Sequence, residues 1–103
     1  MKQQEQSAGD QPEFANNTGA SQYEMRIGGK VAALAQYRVE GDAVRFTHTE
    51  VMPEHEGQGL GSRIAAHALD DVKSRGMKAV PQCQFIAKYL AKHEKEYGEL
   101  VQR

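Results

Sequence analysis

The chain of 103 residues contains one cysteine, Cys83, and no tryptophan. A single thiol excludes an internal disulfide framework and any zinc site built from several cysteines. The four histidines fall at no metal-ligand spacing, so no metal is expected. No apolar run approaches the ~20 residues that cross a bilayer. The opening MKQQEQSAGDQPEF lacks the apolar stretch of a secretory leader. An excess of one charge is missing too, with 13 basic residues against 14 acidic and a net charge of -1. Nothing in that balance draws the chain to nucleic acid or to an anionic membrane, and there is no aromatic-basic platform. An intracellular, cytoplasmic protein is the expectation these absences leave.

What is present is one small globular domain, 39% hydrophobic and 26% charged. Residues 1–12 carry too little apolar surface to offset their ordering entropy and read as a disordered tail, with the domain over 13–103. Residues 13–18 suit a short edge strand, which leaves monomer and weak dimer both open. In QYEMRIG (22–28), Tyr23, Met25 and Ile27 alternate with Glu24 and Arg26, the pattern of a half-buried strand. Gly28-Gly29 makes a two-residue hairpin into a strand over 30–40. Gly41-Asp42 turns the chain into 43–52, rich in β-branched and aromatic residues. The period then changes. Leu60, Ile64, Ala65, Ala68, Leu69 and Val72 recur at helical spacing up to a stop at Gly76. A strand over 77–83 and a helix over 84–93 follow, and Tyr97, Leu100 and Val101 are left to pack. The fold class is α/β (α+β): an antiparallel meander, then helix-strand-helix with a parallel crossover.

The segment EVMPEHEGQGLGS (50–62) joins the two halves. Gly57, Gly59 and Gly61 alternate ahead of a helix, whose N-terminal amides and partial positive charge suit an anion. A nucleoside triphosphatase loop ends in Gly-Lys-Ser/Thr, whereas here Ser62-Arg63 follows the third glycine. The dinucleotide spacing G-x-G-x-x-G is one residue short, and the preceding strand is third in a meander. A pyrophosphate cradle and a plain tight turn both remain open.

Two blocks narrow the choice. Val51-Met52-Pro53 with Glu56-Gly57-Gln58-Gly59-Leu60-Gly61 resembles the acetyl-CoA motif of the GNAT (general-control-nonrepressed-related N-acetyltransferase) superfamily. His48-Thr49-Glu50-Val51-Met52-Pro53, Pro81-Gln82-Cys83-Gln84-Phe85, and then Glu96-Tyr97 and Leu100 resemble its small stand-alone GNAT-like members. The likeness covers roughly residues 14–102. It implies acetyl-CoA (coenzyme A) as cosubstrate, an amine acceptor, and a splay between the strand before the glycine loop and the strand after its helix that admits the pantetheine arm. It also implies a coenzyme site at Val51, Met52, Gly57, Gln58, Gly59, Leu60, Gly61, Ser62, Phe85, Lys88 and Tyr89. Two departures stand out. Glu56 occupies the motif's usual Gln/Arg position, where a carboxylate beside a pyrophosphate is unfavourable. The helices that wall the acceptor site are absent, because Gly28-Gly29 joins the strands directly.

Three residues are candidates for the chemistry. His48 and Glu50 are expected on one strand face, about 7 Å apart, together with Val44 and Phe46. That places a base and a carboxylate on an apolar face, or else a structural hydrogen-bonded pair. Cys83, at a strand end before a helix, suits either a thioester nucleophile or a small lining residue, with His48 as its base if the strands are neighbours. On the last helix Lys88 or Lys92 suits the adenosine 3′-phosphate and Tyr89 the leaving thiolate, or else the lysines form a solvated face and Tyr89 packs in the core. The sequence thus carries two functional readings: an acetyl-CoA-dependent N-acyltransferase, and a coenzyme-binding or interaction module without turnover.

Overall fold

A computed structural model of the protein describes residues 11–102; the tail expected over residues 1–12 lies almost wholly outside them. The elements run β1 (Glu13–Asn17), β2 (Gln22–Ile27), β3 (Lys30–Glu40), β4 (Ala43–Val51), α1 (Leu60–Ser74), β5 (Lys78–Pro81), α2 (Gln84–Lys92) and α3 (Glu94–Tyr97). The strands form one sheet in the order β1-β2-β3-β4-β5. β1 to β4 pair antiparallel, and β5 returns parallel to β4 through α1. No helix among the described residues is long and apolar enough to cross a membrane.

The sequence periods explain the packing. Leu60, Ile64, Ala65, Ala68, Leu69 and Val72 are the buried stripe of α1. They meet Tyr23, Met25, Ala33, Ala35, Tyr37, Val44 and Phe46 from the strands in one core. Full burial of side chains such as Ile64, Leu69 and Val72 is worth roughly 1.5–3 kcal/mol each. Two phenols tie the layers together. Tyr23 donates to Asp71 Oδ2 and Tyr97 to Asp70 Oδ1, each at 2.7 Å. The second bond holds α3 beside α1. The chain end closes on the sheet, where Val101 forms a parallel bridge with Ala79. The sequence reading anticipated that Tyr97, Leu100 and Val101 would pack, but missed both α3 and this bridge.

One feature of β4 overturns an expectation. Gln36 pairs with His48, yet Tyr37 pairs with Phe46. Thr47 is therefore an extra residue on β4, and its insertion exchanges the strand's faces. Before it, Val44 and Phe46 point into the core. After it, Thr49 and Val51 lie opposite the buried Ala35 and Ala33. His48 and Glu50 thus turn to the outward face, with side chains 55% and 51% exposed. They do not share a face with Val44 and Phe46.

Candidate active site

The site is built where β4 and β5 part. Their pairing runs from Ala43↔Lys78 to Phe46↔Pro81 and stops there. Pro81 has no N–H to extend the ladder. The last tie is the Cys83 amide, which donates to the Phe46 carbonyl at 2.8 Å. β4 continues to Val51 with no strand on its β5 side, so backbone groups over 47–51 are left open along that edge.

The glycine loop lies under this opening. Gly57 and Gly59 hold φ of 85° and 76°, left-handed values that residues with a Cβ adopt at a cost. Gly59 is the N-cap of α1, and no side chain caps the helix, so its first amides are free for a ligand. Gly61 serves a different need. A Cβ there would stand 2.7 Å from Phe85 Cζ, so its absence lets the ring of α2 lie on the first turn of α1. Phe85 is among the few large exposed hydrophobic residues of the described chain, 39% accessible.

Two cavities meet at this ring. One, of about 240 Å³, is lined by Val51, His55, Glu56, Gly57, Gly59, Leu60, Gly61, Ser62 and Phe85. The other, of about 300 Å³, is lined by Ser62, Phe85, Lys88, Tyr89, Lys92 and His93. Because Ser62 and Phe85 border both, the two form one groove from the free end of α1 to the lysines of α2. The Tyr89 ring stacks on His93 at 4.1 Å. Burial, with the negative charges of Glu96 and Asp70, raises its pKa, so Tyr89 keeps its proton.

The groove gathers Val51, Gly57, Gly59, Leu60, Gly61, Ser62, Phe85, Lys88 and Tyr89 from the expected coenzyme residues. Met52 and Gln58 stand outside its lining. The Met52 amide donates to the Ala32 carbonyl at 2.8 Å, and Gln58 Oε1 lies 3.4 Å from His55 Nδ1. His55 and His93 join the lining unanticipated, beside Lys92 and Glu56. Lys92 was legible as the i+4 neighbour of Lys88 on one helix face. Glu56 does lie at the groove.

Cys83 is the N-cap of α2, and its thiol donates to Thr49 Oγ1 at 3.3 Å. Thr49 points to the core side of β4, whereas His48 points outward and meets Glu50 Oε1 through Nε2 at 3.2 Å. The structure therefore does not bring His48 to Cys83 as its base. A larger cavity, of about 540 Å³, lies away from this opening, near the end of α1 and the chain's C-terminal residues. It mixes Lys73, Lys78 and Lys95 with Glu94, Glu96 and Glu99, and offers neither a thiol nor an imidazole. Among the described residues, no group of three or more His, Cys, Asp or Glu side chains is placed to hold a metal ion.

A meander sheet that splits between its parallel strands over a glycine-opened helix defines the class of N-acetyltransferase folds. Comparison with known proteins agrees. Residues 22–100 match the family described as GCN5-related N-acetyl-transferase, and the chain belongs to that family. Curated relatives in Escherichia coli (strain K12) and Shigella flexneri, each named [Ribosomal protein bS18]-alanine N-acetyltransferase, are 32% identical over 66 residues. That stretch is 62% of this chain and 45% of each relative, so the match spans about half their length. The NMR structure of a GCN5-like protein from Staphylococcus aureus superposes with a TM-score of 0.63 at 23% identity, covering 87% of both chains. The crystal structure of the ribosomal-protein-S18-alanine N-acetyltransferase from Escherichia coli gives a TM-score of 0.53 at 24% identity, covering 72% of this chain and 54% of that one.

Proposed function

We propose that the protein transfers an acetyl group from acetyl-CoA to an amine. The observation that carries this is the groove that opens beneath the β4–β5 split and reaches from the glycine loop to Lys88 and Lys92. The residues fit the coenzyme. Free amides at the start of α1 suit its pyrophosphate, the lysines suit its 3′-phosphate, and the open edge of β4 suits its amide-bearing arm. Val51, Gly57, Gly59, Leu60, Gly61, Ser62, Phe85, Lys88 and Tyr89 hold it in this reading, while Met52 and Gln58 stand outside the groove's lining. The acyl carbonyl then lies at the edge of β4 near Thr49 and Cys83.

The amine approaches from the opposite, outward face, where His48 and Glu50 stand. With Nε2 turned to Glu50, His48 Nδ1 is the atom left to take the ammonium proton. The neutral amine attacks the thioester carbonyl, the C–S bond breaks, Tyr89 gives a proton to the departing thiolate, and the second proton shed by the new amide nitrogen passes through solvent to restore the Tyr89 phenol. Transfer is direct, and Cys83 lines the acyl site. A covalent route through Cys83 has one observation in its favour, the thiol's place at the N-cap of α2, where β4 and β5 part. A coenzyme binder without turnover also has one: Glu56 on the groove wall, which opposes an anionic ligand.

The test is isothermal titration of acetyl-CoA into the wild type, followed by turnover with an amine panel. Binding with release of free thiol only when amine is present is the expected result. Binding without release for any amine would leave the non-catalytic module.

A further inference from the structure

We propose that the Thr49 hydroxyl binds the thioester carbonyl oxygen of acetyl-CoA and holds the negative charge that this oxygen gains when the amine attacks. This rests on the N-acetyltransferase reading above and adds a catalytic residue to it.

The extra residue at Thr47 decides which side chains reach the opening. It turns Thr49 and Val51 to the α1 side of β4, opposite the buried Ala35 and Ala33. Val51 lines the groove together with Phe85. Thr49 stands two residues before Val51, and Cys83 two before Phe85. The Cys83–Thr49 contact of 3.3 Å is therefore the next rung into the split, about 7 Å along β4 from Val51. Beyond that rung the split closes. The Cys83 amide is bonded to the Phe46 carbonyl, and the β4–β5 ladder begins there. A coenzyme arm that enters from the glycine loop along the open edge of β4 ends beside Thr49.

Hydrogen bonding singles out this hydroxyl. A threonine side chain offers one O–H donor and two acceptor lone pairs. Among the described residues Thr49 Oγ1 has one partner, the Cys83 thiol, which occupies a lone pair and leaves the hydroxyl proton without an acceptor. A thiol is a weak donor, so a half-buried hydroxyl beside alanines and a valine is left under-satisfied. The neighbouring polar side chains are committed elsewhere. Thr47 donates to the Gln36 carbonyl at 3.4 Å, and His48 and Glu50 meet each other on the outward face. Of the side chains over 47–51, Thr49 is the one that brings an available O–H to the α1 side of the opening.

Amine attack converts the carbonyl oxygen into an oxyanion. The Thr49 O–H bonds that oxygen more strongly as charge develops and keeps its proton throughout. When the C–S bond breaks, the carbonyl re-forms and the bond weakens again. A donor fixed in advance in this way favours the transition state over the bound thioester.

The test needs no acceptor. Acetyl-CoA isotopically labelled at the thioester carbonyl is bound to the full chain, and its carbonyl stretch is read by infrared difference spectroscopy. Titration calorimetry of acetyl-CoA and of free CoA accompanies it. Thr49→Val keeps the shape and loses the hydroxyl, Thr49→Ser keeps the hydroxyl, and Cys83→Ala removes the thiol. The expected result is a stretch at lower frequency in the wild type, Thr49→Ser and Cys83→Ala than in Thr49→Val. Thr49→Val should also weaken acetyl-CoA about fivefold, the scale of one neutral hydrogen bond, and leave the affinity for free CoA unchanged. A stretch and an acetyl-CoA affinity indifferent to Thr49→Val, or a stretch that moves in Cys83→Ala and not in Thr49→Val, overturns the Thr49 donor while leaving acetyl transfer standing. Failure of the wild type to bind acetyl-CoA overturns both.

Discussion

Glu24 shows how one residue's surroundings decide its role. Burial alone raises a carboxyl pKa, but the donors Gln22, Asn17 and Arg26 outweigh it and hold Glu24 below the usual carboxylate range. Its contribution to stability is therefore complete above the unfolded value near pH ~4.3 and is lost as pH falls through the folded value. Glu24→Ala leaves three donors without their acceptor and should cost about 2 kcal/mol in urea unfolding at pH 7. A loss under 0.5 kcal/mol would show that the network is ornamental. Cys83 makes the complementary case. Its thiol bonds Thr49 and not His48, so Cys83→Ala should keep acetyl transfer within about threefold, well under 1 kcal/mol in the barrier. A loss of a hundredfold or more, with an acetyl adduct on Cys83 in the wild-type intact mass, would establish the covalent route instead.

Elements carry the next set of consequences. Gly61 matters because α2 lies on α1 through Phe85. Gly61→Ala sets a Cβ 2.7 Å from the ring, which must shift into the groove. Acetyl-CoA affinity should fall by about tenfold, or 1.4 kcal/mol, and the double variant Gly61→Ala/Phe85→Leu should regain most of it. An unaltered affinity in Gly61→Ala would remove the ring from the coenzyme path.

β4 is where the sequence was least legible. Alternation placed β2, the Gly28-Gly29 hairpin and not the alanine-rich sequence placed β3, and helical spacing named the buried stripe of α1 residue by residue. The glycine loop and Pro81 marked the opening. The extra residue at Thr47 left no trace in composition, since FTHTEV alternates as well with one phase as with the other. Only pairing against β3 sets the phase, and a slip of one residue moves His48 and Glu50 across the sheet. Helix α3 was missed for a related reason. Its four residues are too few for a periodic signal, and its placement depends on the long-range bond from Tyr97 to Asp70.

At the scale of the whole molecule, one sheet separates two chemistries. The α1 side carries the groove, its lysines and the free helix end. The outward side carries the His48–Glu50 pair. Stability joins the two sides through groups that prefer to stay neutral. Burial lowers the His67 pKa, against the opposing pull of Asp71 and Asp70. The ring stacks on Phe14 at 4.2 Å. A depressed histidine contributes fully above the unfolded value of ~6.5, and that contribution fades as pH falls below it. Tyr23 acts in the other direction. Burial and its bond to Asp71 raise its pKa, so its contribution holds below pH ~10 and is lost as pH rises past the folded value. Melting temperature should therefore fall on both flanks, with His67→Phe flattening the acid flank below about pH 6.5. An unchanged acid flank in that variant would place the acid sensitivity elsewhere.

The central claim is that the groove beneath the β4–β5 split holds acetyl-CoA for transfer. Isothermal titration of acetyl-CoA into the wild type and into the double variant Lys88→Gln/Lys92→Gln tests it most directly. The account expects one site per chain in the wild type and an affinity about tenfold weaker in the variant, on the order of 1.4 kcal/mol for two partly exposed phosphate contacts. No heat of binding at millimolar coenzyme, or equal affinity in both proteins, would contradict it.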